Sequence, residues 1–200
     1  MMTNNYRLPT IIEVDNKPFR IRDKGDFRMV FSCFNIMSDV HLTQEERLYA
    51  SMIIFYEDFD DMDDLLECDC DVEALAKKMM WFLDCGENYE TKNSPRLIDW
   101  DEDSNLICSA INNVAGKEIR AEKYVHWWTF IGYYMAIGEC SLSNIVSIRY
   151  KLAKGEKLEK YEKKFMADNP QYFNKDMRSE QQKMAEDYVA SLWKGELADG

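Results

Sequence analysis

The chain has 200 residues, 37 acidic against 25 basic, for a formal net charge of -12. A hydrophobic content of 46% with 13% aromatics is enough to build a core and argues against a disordered chain. The negative charge opposes nucleic-acid phosphates, no apolar run approaches the roughly 20 residues that span a bilayer, and Met1–Arg20 lacks the apolar stretch of a secretory signal.

Residues 10–22, TIIEVDNKPFRIR, are two β-prone runs around Asp15-Asn16-Lys17, and they predict a hairpin whose second strand tolerates Pro18 at its start. From Asp26 the apolar period lengthens to about 3.6, with Phe27, Val30, Phe31, Phe34 and Met37 on one stripe behind an Asp26 cap. Thr43 and Glu46 carry the capping-box spacing before a helix with Leu48, Met52 and Phe55 on its apolar stripe. Ten acidic residues and no basic one lie between Glu57 and Glu73, a solvated face and helix cap. Val72, Leu75, Ala76, Met79, Phe82 and Leu83 form the next stripe, with Asp71 at its start and Gly86 just past its end.

Residues 87–96 read as a loop, and a helix from about Asp103 to Ala115 should stop at Gly116. The stretch EKYVHWWTFIGYYMAIG is apolar nearly all round apart from a seam of Glu122, His126 and Thr129, which predicts the central buried helix with Trp127 and Trp128 as core residues. A helix over about Ser141–Leu152 follows. Beyond it come two charged segments with thin stripes, Leu158, Tyr161 and Phe165 in one and Met184, Tyr188 and Leu192 in a run from about Asp176 to Trp193.

None of these segments completes a chemical motif. Asp99, Asp101 and Asp103 match the first ligands of a calcium loop, but Ser104 stands where the glycine is needed and Ala110 where the bidentate glutamate is needed. Cys68-Asp-Cys70 lacks both the spacer and the second pair of a zinc ribbon, and the six scattered cysteines read as small hydrophobes of a reducing compartment. His126 with Glu122 one turn earlier has the elements of a general base but no nucleophile motif to serve, so a structural histidine is the expectation. No catalytic, cofactor or metal residue is predicted.

The block YVHWWTFIGYYMAIGECSLSNIVSIRY resembles the gene product 15 family of tailed phages and prophages. The hairpin EVDNKPFRIR followed by Asp26-Phe27-Arg28, the ending WFLDCGE and the entry IDWDED agree with it, so the resemblance covers about residues 10–165. It implies a tail-module protein encoded near the tape measure gene, in the position of tail assembly chaperones. Together these readings predict a mainly α fold: a helical domain over 1–168 with its N-terminal hairpin, then a charged helical extension over 169–200. The expected function is non-enzymatic, in the host bacterial cytoplasm, with the tape measure protein as partner, homo-oligomerisation compatible with the role, and neither nucleic acid nor membrane involved. A structural component of the finished tail is the alternative; an enzyme or a protein acting on a host factor is a third. Helix-in-groove binding would draw on Trp127, Trp128, Leu158, Tyr161, Phe165, Met184, Tyr188 and Leu192.

Overall fold

Asp15 and Asn16 both take the left-handed conformation, with φ of 52° and 61°. That is the two-residue turn whose twist suits a hairpin, in side chains that tolerate it. It joins β1 (Ile11–Val14) to β2 (Lys17–Arg20) where the sequence predicts, with Val14 opposite Lys17 and Ile12 opposite Phe19. Pairs alternate along an antiparallel ladder, so Pro18, second from the turn and opposite Glu13, is not asked for an N–H. The structure, a computed structural model, describes residues 6–87, 95 and 97–173. Among these it is mainly helical, with eight α-helices and this one hairpin.

The first helices follow their predicted caps. In α1 (Phe27–Met37) the Asp26 carboxylate accepts the Arg28 N–H, and in α2 (Gln44–Phe55) Thr43 and Glu46 close the expected capping box. The two helices pack on each other and bury Phe27, Val30, Cys33, Met52 and Phe55. The last-turn carbonyls of α2, orphans of any helix end, are gathered by Arg22, which donates to Ile53, Ile54, Tyr56 and Phe59 at 2.9–3.2 Å. Within the acidic run lies a short helix, α3 (Met62–Glu67), anchored by buried Leu65; Asp61 accepts the Asp64 N–H at its start, and all ten acidic residues from Glu57 to Glu73 are exposed. Asp71 caps α4 (Val72–Leu83) as predicted. That helix ends three residues before Gly86, through a turn in which Cys85 and Gly86 are left-handed.

The remaining helices are α5 (Ser104–Ala115), α6 (Trp127–Met135), α7 (Ser141–Ala153) and α8 (Lys160–Asp168). Two compact units emerge, residues 1–89 with 111–136 and residues 90–110 with 137–200, the division falling inside α5. In the second unit the fully buried Arg149 uses every donor it has: its guanidinium grips the Asp103 carboxylate at 2.6 and 3.0 Å and donates to the carbonyls of Leu97 and Tyr172 at 2.8–3.0 Å. The third aspartate of the calcium-like spacing is thereby committed to an arginine.

Three expectations need correction. The apolar pattern from Glu122 onward predicts a long central helix, yet α6 begins only at Trp127 and spans nine residues, because the chain before it is held extended by an antiparallel bridge between Asp26 and His126 (Phe27 N–H to Val125 O, 3.0 Å); Tyr124 and Met135 are exposed. Cys68 and Cys70 are not small hydrophobes but are bonded to each other, their Cα atoms 5.4 Å apart and within disulfide range. Cys33 and Cys108 are buried as expected, and burial pushes the Cys33 thiol up to about 12. In the charged α8, Glu162 is buried, paired with Lys151 at 2.7 Å, where the alternating Lys and Glu pattern predicts a solvated residue. The expected extension from residue 169 lies, beyond Phe173, outside the described residues. No helix among the described residues is long and apolar enough to cross a membrane.

Candidate partner-binding surface

His126, Trp127 and Trp128 act as one clamp at the meeting of α4 and α6. The His126 Nδ1 accepts the Trp128 backbone N–H at 3.1 Å, so the imidazole is the N-cap of α6. Its Nε2 lies 2.9 Å from the Pro9 carbonyl, which fixes the neutral tautomer with the proton on Nε2. The two indoles work on the other helix: Trp127 donates to the Leu83 carbonyl and Trp128 to the Phe82 carbonyl, each at 2.9 Å. Adjacent residues on a helix point about 100° apart, so each ring satisfies a different carbonyl of the last turn of α4 and the rings go on to different surroundings.

Trp127 is buried, stacked on Phe130 and met edge-on by Phe31 and Phe34. Trp128 is half-buried and leans on half-buried Trp81 with ring centroids 5.4 Å apart. Gly86 lies beneath both rings. At its φ of +81° a side chain is strained, and a Cβ there would stand 3.1 Å from Trp128 and 3.5 Å from Trp81. Exposed Met80 adjoins Trp81 in sequence, and the Lys78 ammonium sits 5.8 Å from the Trp81 ring centre. Two aromatic rings, one of them (Trp128) with its indole N–H already satisfied, an adaptable thioether and a cation together make an amphipathic surface of the kind that dominates protein interfaces.

Of the other predicted residues, Leu158 is buried, Tyr161 is exposed, and Phe165 is half-buried with its ring edge-on to Phe173 at 6.3 Å. Tyr161 and Phe165 share one face of α8 in the second unit, whereas Trp127 and Trp128 belong to the first. Met184, Tyr188 and Leu192 lie outside the described residues. Trp81 is the member that sequence reading missed. It falls off the predicted stripe of α4, and being a tryptophan at a polar position of an amphipathic helix was the available signal.

The His126 cap carries a pH signature. Burial pushes its pKa below the usual histidine value, opposed by the Pro9 hydrogen bond and the Asp26 charge. A group that is harder to protonate when folded binds more protons unfolded, so its contribution is complete above about pH 6.5 and falls as pH drops below that value. Urea unfolding between pH 7.5 and pH 5 should show this decline, measured on chosen buffers around the histidine range. Replacement by asparagine, which caps without titrating, is expected to flatten the slope; equal slopes for both proteins would remove His126 as its source.

Compared with known proteins, residues 5–174 match the family described as "Bacteriophage Gp15 protein". Neither the curated proteins nor the solved structures give a match.

Proposed function

The chain belongs to the bacteriophage Gp15 family, and from that membership we propose that it is a non-enzymatic tail assembly protein, a chaperone or adaptor that binds the helical tape measure protein before the tail tube polymerises around it. The observation that carries the binding half of this reading is the half-buried Trp81–Trp128 pair with exposed Met80 beside it. An amphipathic client helix presents apolar side chains at every third or fourth position, and rings and thioethers accept such anchors without demanding one sequence. Working with no cofactor, metal or nucleic acid, the protein would act in the host bacterial cytoplasm by covering that stripe until the tail tube replaces it.

Co-expression tests the reading, because a long apolar client that aggregates alone should stay soluble with its stripe covered. Many copies should bind each client, since a small domain has to cover a long rod. Mature particles should lack the protein. Its presence there at stoichiometric levels would make it a structural component of the tail instead.

A further inference from the structure

In a chain with net charge -12, one concave face of the first unit is basic. An open cleft of about 640 Å³ is lined by Asp23, Lys24, Asp26, Arg28, Lys123 and Tyr124. Asp26 is neutralised by Arg28 Nη1 at 3.0 and 3.1 Å, and Arg28 Nη2 donates to the Arg120 and Glu122 carbonyls. Lys24 and Lys123 are exposed, and no ion pair engages either among the described residues, which leaves Asp23 as the one lining carboxylate against two ammonium groups.

The cleft is also rigidly built. Asp23, Lys24 and Gly25 run consecutively through the left-handed region with φ of 50°, 54° and 78°, a conformation that costs energy for the first two. It is held by the Tyr124 hydroxyl, which donates to the Lys24 carbonyl at 3.0 Å, and by Gly25, where a Cβ would come within 2.6 Å of the Phe82 ring. The Lys24 backbone is thus fixed before any partner arrives, which lowers the ordering cost of binding.

The same unit carries the complementary surface. Within the exposed acidic run, Glu57 and Asp58 are engaged by Arg20, Asp69 by Lys17 and Glu73 by Lys77, whereas Asp60, Asp61, Asp63, Asp64, Glu67 and Asp71 have no cation within ion-pair distance among the described residues. Leu66 stands exposed in their midst on α3, and Tyr124 offers an apolar wall in the cleft. We propose that copies of this chain associate through these two faces, the α3 face of one copy seating in the Lys24–Arg28–Lys123 cleft of the next. The faces differ, so a single such contact leaves one face free on each copy, and its repetition builds rings or open chains. The inference stands apart from the identity of any client.

Salt distinguishes this contact from the alternative. Two copies repel through their net charge, and salt screens that repulsion, so association through apolar faces strengthens as salt is added. A contact of lysines with carboxylates weakens instead. Sedimentation velocity on the full chain should show mass rising with concentration at low salt and returning to monomer at high salt. The variants Lys24→Glu/Lys123→Glu and Asp63→Lys/Glu67→Lys alter exposed side chains only; each should remain monomeric alone, with unchanged circular dichroism, and mixing them should restore the higher mass because each supplies the face the other has lost. A wild-type chain that stays monomeric at low salt, association that grows with salt, or reversed-charge variants that self-associate like wild type would overturn the proposal.

Discussion

Replacing Arg149 by methionine is expected to cost about 3–5 kcal/mol of unfolding free energy, the penalty of removing one member of a buried ion pair. Asp103, fully enclosed, would lose both Arg149 nitrogens that donate to it, and the carbonyls of Leu97 and Tyr172 would lose their Arg149 donors. Urea unfolding at neutral pH reads this loss, followed by hydrogen exchange in α5 and α7 because a two-unit chain need not unfold in one step. Adding Asp103→Leu to the same chain should recover a large part of the loss, since a buried ion pair replaced by apolar groups is often neutral. A single variant within about 1 kcal/mol of wild type would mean that Arg149 is not the pin its hydrogen bonds describe.

Trp127→Ala is the second large effect, expected at about 3–5 kcal/mol for a buried indole. The variant empties the space between Phe31, Phe34 and Phe130 and leaves the Leu83 carbonyl without its indole donor. Trp128→Ala should cost clearly less, because that ring is half-buried and its loss exposes Trp81 rather than opening a cavity. The apolar pattern of the helix treats the two tryptophans alike. A thermal scan of both variants checks the difference, and equal losses would place Trp128 in the core with its neighbour.

What the sequence makes legible here is local. The Asp15-Asn16 turn, the Thr43–Glu46 box and the Asp26 and Asp71 caps each depend on residues within four positions of one another, and each stands where it is predicted. The misread parts depend on partners far along the chain. Nothing near Glu122 announces that His126 will bridge to Asp26 and delay α6, nor that two neighbouring indoles will cap a helix 44 and 46 positions earlier. Asp103 looks like a calcium ligand or a cap until Arg149, 46 residues on, closes on it. Glu162 is hidden by the same logic, since its periodic position matches its solvated neighbours and nothing local announces its pairing with Lys151 of α7.

The candidate surface divides in the same way. Trp128 and Tyr161 stand out by residue type, and Tyr161 is exposed while Trp128 is half-buried rather than in the core, but the ring that completes the first patch, Trp81, comes from a different helix and meets Trp128 over Gly86.

The most direct measurement is a titration of a fluorescently labelled helical fragment of the tape measure protein, followed by anisotropy, with wild type and with Trp81→Ala. Trp81 is half-buried and caps no helix end, so its loss should leave the fold intact while weakening binding by about tenfold or more, the effect of removing an aromatic anchor. Failure of the wild-type protein to bind the fragment would contradict the proposed function, and equal affinity of a folded Trp81→Ala variant would remove this surface from it.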